Sequence, residues 1–231
     1  MNNLGTNSTE RPLLVLRDIH AAYVKKEILR GVSFALNRGE IVALLGGNGS
    51  GKSTALKTIM GLLQPTRGQV LFDDSDITAE PVHHRQQRGI GYLMQGGRVF
   101  PNLTVAENLA IAARRADRRE IQTRTGVGSI FPVLAERADV RAGLLSGGQK
   151  QMLAIEMTMS QRPCLLLLDE PTGGIAPVLA QQIMEQVVKN VRDNESSALI
   201  VEQNVAIVQE CCNRSLRLKD GQIEFSNVPT K

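Results

Sequence analysis

The chain has 231 residues, a formal net charge of +4, 42% hydrophobic residues and only 3% aromatic residues. This length fits one domain with at most a subdomain, and the hydrophobic fraction is sufficient for a sizeable core. The scarcity of aromatic residues, with no tryptophan, argues against a single-strand nucleic-acid surface built on stacked rings. The small basic excess suits a nucleotide site or a nearby anionic surface and does not require DNA or RNA.

The sequence contains no candidate for a membrane-spanning segment. No apolar run approaches the length needed to cross a bilayer, and the polar N-terminal segment lacks the apolar core of a signal peptide. We expect residues 1–12 to be a flexible tail. If this protein acts at a membrane, we therefore expect it to do so through a partner protein.

Neither the cysteines nor the histidines form a pattern typical of a metal site. The three cysteines are Cys164, Cys211 and Cys212. They form no C-x-x-C pair and are interpreted as buried or incidental thiols in a reducing compartment. His83 and His84 are adjacent but have no second cluster of ligands, so a metal site is not expected there.

The first third of the chain is predicted to be rich in β-structure. Alternating apolar residues indicate strands over residues 13–19 and 31–36, and a short apolar run indicates a buried strand over residues 41–45. A helix is predicted over residues 54–60, because a glycine then ends its pattern. A further short strand is predicted over residues 69–73, followed by an acidic turn without EF-hand spacing.

A glycine-rich loop lies between the third strand and the first helix. Residues 46–53 read Gly-Gly-Asn-Gly-Ser-Gly-Lys-Ser, which fits the phosphate-binding pattern G-x-x-x-x-G-K-[ST] at every fixed position. Glycines let the backbone approach phosphate oxygens, and successive N–H groups at a helix N-terminus favour anions. Lys52 would bring its charge to the outer phosphates, and the Ser53 hydroxyl would be placed to bind Mg²⁺. The strand and helix around the loop favour this interpretation over a chance glycine-rich turn.

The middle of the chain combines one strand with two helices. The strand, over residues 89–94, ends at Gln95, and the first helix is predicted over residues 105–115. Basic residues at the end of that helix are interpreted as a solvated face rather than a binding patch. The second helix follows Leu-Ser-Gly-Gly-Gln at residues 145–149 and runs through Met159, with apolar residues at helical spacing.

Two carboxylates follow the next apolar run. Residues 164–168 predict a buried parallel strand that ends in Asp169 and Glu170, and open α/β sheets bind ligands at the carboxyl ends of their strands. One carboxylate can hold Mg²⁺, and the next can orient or deprotonate a water molecule. The remaining predicted elements are a helix over residues 178–192, a strand over residues 198–201 and a hairpin over residues 216–225.

In this order, the motifs resemble the ATP-binding subunit of ABC transporters over residues 13–225. The glycine loop, Gln95, the Leu-Ser-Gly-Gly-Gln signature, Asp169 and Glu170 carry the resemblance. The signature discriminates best, because many other P-loop proteins lack it. The chain looks most like the second ATPase of importers for branched-chain amino acids, or a relative handling urea or amides. The segments that carry this narrower likeness are residues 95–108, 153–155 and 201–204.

The resemblance implies an α/β fold with three parts. These are a P-loop NTPase core with a parallel central sheet, an N-terminal antiparallel β subdomain and a helical signature subdomain. The ATPase domain would cover residues 13–231, and the helical subdomain about residues 96–160.

The resemblance also implies roles for individual residues. The implied catalytic residues are Glu170, Lys52 and Gln203, and the implied Mg²⁺ ligands are Ser53, Gln95 and Asp169. The implied ATP contacts are Tyr23, Gly46, Gly47, Asn48, Gly49, Ser50, Gly51, Lys52, Ser53, Thr54, Gln95, Ser146, Gly147, Gly148 and Gln149. Gln203 stands where the family usually has a histidine, and its amide can donate a hydrogen bond but carries no charge. The loop at residues 172–176 also departs from the usual Ser-Leu-Gly-Leu sequence.

ATP and Mg²⁺ are the ligands that the resemblance implies. The implied partners are transmembrane permease subunits, a second identical or paralogous ATPase and, indirectly, a periplasmic or extracellular solute-binding protein. Two copies would close head to tail on two ATP molecules at the cytoplasmic face of the inner membrane. One alternative is a soluble ABC-type ATPase not coupled to transport, and another is a regulatory subunit with little turnover. Intact Lys52, Asp169 and Glu170 argue against the second alternative.

Overall fold

The structure is a computed structural model that describes residues 11–24, 26–113 and 130–224. Most of the expected tail at residues 1–12 lies outside these ranges, as do the basic residues at 114–119 and the end of the predicted hairpin at residue 225. Among the described residues, no helix has both the length and the apolar character that crossing a bilayer requires.

The described chain alternates strands and helices after two long initial strands. In chain order the strands are β1 (Pro12–Tyr23), β2 (Lys26–Asn37), β3 (Ile41–Leu45), β4 (Arg67–Phe72), β5 (Ser75–Asp76), β6 (Ile90–Leu93), β7 (Leu165–Asp169), β8 (Ser197–Val201), β9 (Arg214–Lys219) and β10 (Gln222–Glu224). The helices are α1 (Lys52–Met60), α2 (Val82–Gln87), α3 (Val105–Ala113), α4 (Pro132–Ala135), α5 (Gly147–Met159), α6 (Pro177–Asp193) and α7 (Val205–Cys211), with a 3₁₀ turn at Ala142–Leu144.

The strands form two sheets. The four-stranded sheet has the order β2-β1-β4-β5 and is antiparallel throughout. The six-stranded sheet has the order β10-β9-β3-β8-β7-β6, and all of its pairings are parallel except that of β9 with β10. The expected α/β arrangement, with a parallel central sheet and an N-terminal antiparallel sheet, is confirmed.

Two apolar cores hold the sheets and helices together. One core joins one face of the six-stranded sheet to α5, α6 and α7, and the other joins its opposite face to α1 and the antiparallel sheet. Every residue of β7 is buried because both faces of this strand are covered. The predicted inward positions of α6, Ile183, Val187 and Val191, are all buried. Met152 and Met159 of α5 are core residues, as expected.

Several boundaries differ from the sequence predictions. The first two strands are longer than predicted because register shifts interrupt their alternation, and the predicted acidic turn extends into the short strand β5. Helices α2, α4 and α7 were not predicted. The sequence did contain a signal for α7, because asparagine is a preferred N-cap residue. Asn204 Oδ1 caps this helix by accepting a hydrogen bond of 3.1 Å from the Ala206 backbone. The proposed limits of the ATPase domain and of the helical subdomain remain predictions.

The cysteines are free thiols, with Cys211 and Cys212 buried and Cys164 partly buried. Burial raises the pKa of all three thiols above its usual value, that of Cys212 to about 12. Within the described ranges, no group of three or more histidine, cysteine or acidic side chains is arranged so that it could hold a metal ion. The described ranges include His83 and His84.

Candidate nucleotide-binding site

Four loops meet at the carboxyl edge of the central sheet. Because β3, β6, β7 and β8 are parallel and in register, the residues that follow them project from the same edge. Val201 of β8 pairs with Leu44 of β3 on one side and with Asp169 of β7 on the other. The glycine loop, Gln95, Glu170 and Gln203 are therefore brought together from distant parts of the sequence.

The glycine loop curves tightly around the start of α1. Gly51 has φ 109° and caps the helix, and a Cβ there would lie 2.8 Å from Leu29 Cδ2. A Cβ at Gly46 would collide with the Leu218 carbonyl oxygen. By contrast, a Cβ at Gly47 or Gly49 would meet no atom within 4 Å. The loop is thus packed tightly against the protein on its inner side and open on its outer side, as a phosphate site requires.

Lys52 places its ammonium group over this loop. Its Nζ donates hydrogen bonds to the carbonyl oxygens of Gly46 at 2.7 Å and of Gly47 at 3.0 Å, and the residue is only 5% exposed. Ser50 adds a hydroxyl beside Gly46 that is buried and has no hydrogen-bond partner among the described residues. An ammonium group at this position fits the outer phosphates of a nucleotide. Thr54, the last predicted loop contact, is buried in the first turn of α1.

Asp169 and Ser53 face each other below the loop. Ser53 Oγ donates a hydrogen bond of 2.9 Å to Asp169 Oδ1, and the Tyr92 hydroxyl donates one of 3.3 Å to Asp169 Oδ2. Burial raises the pKa of the Asp169 carboxyl above its usual value, while the hydrogen bonds from Ser53 and Tyr92 oppose this shift. A hydroxyl and a carboxylate are the hard oxygen ligands that Mg²⁺ prefers, so these two residues fit the ion.

Tyr92 was missed by the sequence predictions. It lies on β6, which pairs with β7, and its register partner is Leu167. Burial raises the pKa of the Tyr92 hydroxyl well above its usual value, and the nearby charge of Asp169 raises it further. Tyr92 therefore stays protonated as a hydrogen-bond donor to Asp169. No local motif distinguishes this tyrosine from an ordinary strand residue, since its role depends on the pairing of β6 with β7.

Glu170 is held by two amide side chains. Gln95 Nε2 donates a hydrogen bond of 2.7 Å to Glu170 Oε2, and Gln203 Nε2 donates one of 2.6 Å to Glu170 Oε1. Gln203 Nε2 also donates to Asn48 Oδ1 of the glycine loop at 2.9 Å. The backbone of Glu170 has φ 49°, a left-handed conformation that costs free energy for a residue with a side chain.

The signature residues lie at the start of α5. Ser146 Oγ accepts a hydrogen bond of 3.3 Å from the Gln149 backbone, and Gln149 Oε1 accepts one of 3.1 Å from the Ser146 backbone. This capping box fixes a helix N-terminus at which Gly147 is exposed and Gly148 is partly buried. A Cβ at Gly148 would come 2.7 Å from Leu179 Cδ2 of α6. The described hydrogen bonds of Ser146 and Gln149 stay within this turn and do not reach the glycine loop.

Tyr23 lies at the end of β1, 43% exposed. The Nζ of Lys57, on α1, lies 5.9 Å from the centroid of its ring. Tyr23 is thus an exposed ring beside the helix that carries the glycine loop. Its stacking on adenine remains a prediction.

Comparison with known proteins identifies similar chains over nearly the full length. The family model for ABC transporters matches residues 29–173. The probable branched-chain amino acid transport ATP-binding protein LivF of Archaeoglobus fulgidus is 39% identical over 91% of this chain and 89% of its own. The high-affinity branched-chain amino acid transport ATP-binding protein BraG of Pseudomonas aeruginosa is 37% identical over 91% of each chain. The lipopolysaccharide export system ATP-binding protein LptB of Haemophilus influenzae is 32% identical over 94% of this chain and 91% of its own.

Solved structures show the same architecture. A nucleotide-free ATP-binding cassette from an ABC transporter superposes with a TM-score of 0.84 at 26% identity, covering 96% of this chain and 92% of that one. A dimeric ATP-binding cassette in a post-hydrolysis state, bound to ADP and Pi, gives a TM-score of 0.81 at 27% identity over 93% and 98% of the two chains. These likenesses confirm the predicted P-loop NTPase fold.

Proposed function

The chain belongs to the ABC transporter family as an ATP-hydrolysing subunit, and from this we propose that it powers an importer for branched-chain amino acids or related small polar solutes. The observation that supports hydrolysis most directly is the meeting of Lys52, Asp169 and Glu170 at one edge of the sheet. The solute class is supported by the names of LivF and BraG, which are more similar to this chain than LptB is.

Each residue of the site has a distinct task in this proposal. The glycine loop and Lys52 bind the phosphates, and Glu170 orients or deprotonates the attacking water. Ser53 and Asp169 would hold Mg²⁺ together with Gln95, and the bound ion would neutralise charge on the phosphate oxygens. Gln203 donates to the carboxylate of Glu170 and keeps that carboxylate beside the glycine loop.

Closure of two subunits would couple hydrolysis to transport. The capped start of α5 presents Ser146, Gly147 and Gly148 as a second anion site, suited to the γ-phosphate held by another copy. Two copies, or one copy and a paralogue, would then bind two ATP molecules head to tail. ATP drives closure only if the closed pair binds it better than the open pair does.

The permease subunit is proposed to contact a groove beside residues 96–108. Phe100 and Ile111 expose apolar surface there, at 49% and 38% exposure. Arg98 and Met157 also line this groove. Apolar surface with a polar rim suits a short cytoplasmic helix of a membrane subunit. Such contacts would hold the chain at the cytoplasmic face of the inner membrane, where a solute-binding protein outside delivers cargo to the permease.

Uptake measurements in the source organism test this proposal. Deletion of the gene should abolish ATP-dependent uptake of labelled leucine, isoleucine and valine, or of urea or short amides. The wild-type gene should restore uptake, and the Lys52→Ala gene should not. Unchanged uptake of all these solutes would contradict import of this class. Full ATPase activity with no membrane partner in a pull-down would favour the alternative, a soluble ABC-type ATPase not coupled to transport.

A further inference from the structure

Glu202 is a buried carboxylate directly after β8, and it has no role among the residues proposed to bind ATP or Mg²⁺ or to activate water. It is 3% exposed. Its Oε1 accepts hydrogen bonds from the Thr172 backbone at 3.0 Å and from the Thr172 hydroxyl at 2.6 Å, and its Oε2 accepts one of 3.1 Å from the Gln203 backbone. A buried carboxylate costs free energy unless donors satisfy it, and three donors do so here.

The partners of Glu202 belong to two loops that flank Glu170. Thr172 lies two residues after Glu170 in the loop that follows β7, and Gln203 lies in the loop that follows β8. The Gln203 amide in turn reaches Glu170 Oε1 at 2.6 Å. Covalent backbone links and hydrogen bonds therefore join four residues in a ring: Glu170, Thr172, Glu202 and Gln203.

The Glu170 backbone donates a hydrogen bond of 2.9 Å to Val201 O, and Glu202 adds a second tie to the turn that follows. Glu170 has left-handed φ, and Gly174, four residues later, has φ 74°. Gly173 and Gly174 have no side chains that could pack and hold the turn. The described backbone hydrogen bonds of the turn include Gly173 N to Glu170 O at 3.1 Å and Ile175 N to Thr172 O at 3.2 Å. The Thr172–Glu202 pair ties this turn to the neighbouring strand end.

We propose that Glu202 is a positioning residue for ATP hydrolysis, which holds Gln203 and the turn after Glu170 so that the Gln203 amide meets the Glu170 carboxylate. This inference rests on the proposed roles of Glu170 and Gln203 and is independent of the transported solute. Glu202 itself does not contact Glu170 through a described hydrogen bond. Its removal should therefore reduce the rate of hydrolysis and leave nucleotide binding by the glycine loop intact.

Near-isosteric variants of the full chain test the proposal. In Glu202→Gln one carboxylate oxygen becomes an NH₂ group, which faces a donor whichever way the amide turns. Thr172→Val removes the hydroxyl donor and keeps the shape, and Thr172→Ser keeps the hydroxyl as the matched control. We expect Glu202→Gln and Thr172→Val to lower kcat by about 10-fold or more, since small displacements of catalytic groups have large effects on rate. KM for ATP should stay within about threefold, and Thr172→Ser should stay near wild type.

A double-variant experiment separates positioning from general destabilisation. On a Gln203→Ala background, Glu202→Gln should lower kcat by clearly less than it does in the wild-type chain, because the Gln203 amide is already missing and only the turn after Glu170 remains to be displaced. An equal loss on both backgrounds would overturn the proposal, as would wild-type kcat in Glu202→Gln or a loss confined to ATP affinity. The Glu170→Gln protein serves as the reference: if it keeps wild-type turnover, the premise about Glu170 fails, whereas an inactive Glu170→Gln with an unaffected Glu202→Gln contradicts only the positioning role.

Discussion

Gln203 donates a hydrogen bond of 2.6 Å from Nε2 to Oε1 of Glu170, although 33 positions separate the two residues in the sequence. The same nitrogen donates to Asn48 Oδ1 at 2.9 Å, so both amide hydrogens are used. Gln95 holds the other carboxylate oxygen of Glu170. The carboxylate proposed to activate water is therefore held between two neutral donors, neither of which can change charge with pH.

This arrangement predicts the effect of changing Gln203. Gln203→Ala should lower kcat by about 10- to 100-fold, because a positioned donor at the reacting centre is lost. Gln203→Glu has nearly the same shape but places a second negative charge beside Glu170, so the decrease in kcat should be larger than for Gln203→Ala. Steady-state ATPase assays at equal Mg²⁺ test both variants. Equal activities of Gln203→Ala and wild type would contradict the proposed role of the amide.

Lys52 should control nucleotide affinity. Lys52→Ala removes a charge-assisted hydrogen bond to the phosphates, which contributes about 1.5–3 kcal/mol and corresponds to roughly 10- to 100-fold in affinity. Lys189 is the matched control, since its ammonium group is exposed and pairs only with Asp193 at 2.7 Å in the described structure. Lys189→Ala should bind ATP like wild type in a titration with a fluorescent nucleotide. Equal weakening by both substitutions would show a nonspecific charge effect.

Arg85 should matter for stability rather than catalysis. Its guanidinium is fully buried and donates to the carbonyl oxygens of Thr58, Ile59, Thr78 and Glu80 at 2.7–3.0 Å. Arg85→Ala leaves these oxygens, two of them in the last turn of α1, without that donor. It should lower the free energy of unfolding in urea by about 3 kcal/mol or more. Arg85→Lys should not restore it, because an ammonium group lacks the planar set of donors.

The exposed neighbour of Arg85 provides the control. Arg88 pairs with Glu80 at 2.6 Å near the surface. Because ion pairs near the surface contribute little, Arg88→Ala should cost far less than Arg85→Ala. A similar cost for both arginine substitutions would contradict the role assigned to burial.

His20 should make stability depend on pH. Its Nδ1 lies 2.9 Å from Glu27 Oε1 and its Nε2 lies 3.2 Å from Asp18 Oδ1, while Arg67 and Arg30 pair with these same carboxylates. The hydrogen bond to Glu27, and less strongly the contact with Asp18, raises the pKa of His20 above its usual value. A raised folded-state pKa stabilises the protein below the unfolded pKa of about 6.5, and this stabilisation is lost as pH rises through the folded pKa.

Unfolding in urea at several pH values measures this effect. The difference in unfolding free energy between wild type and His20→Gln should be largest below about pH 6.5 and should shrink as pH rises. The effect should be modest and weaker in high salt, since both carboxylates are about half exposed. A difference that stays constant over the whole range would contradict the contribution of the charged imidazole.

The contiguous motifs could be predicted from the sequence because each carries its own local geometry. The glycine loop and α1 follow from glycines, Lys52 and the strand before them, and β7 follows from an apolar run that ends in Asp169. Tyr92 and Glu202 could not be found in this way. Their roles arise from the pairing of β6 with β7 and of β7 with β8, which no short segment specifies.

The most direct test of the proposed site compares ATP binding and turnover by Glu170→Gln with those of wild type and Lys52→Ala. With Mg²⁺, Glu170→Gln should bind ATP with wild-type affinity, hydrolyse it at least about 100-fold more slowly and sediment as an ATP-dependent dimer. Lys52→Ala should stay monomeric at the same ATP concentration. Wild-type turnover by Glu170→Gln would overturn the role assigned to Glu170, and no measurable affinity of the wild-type protein for ATP and Mg²⁺ would overturn the nucleotide site itself.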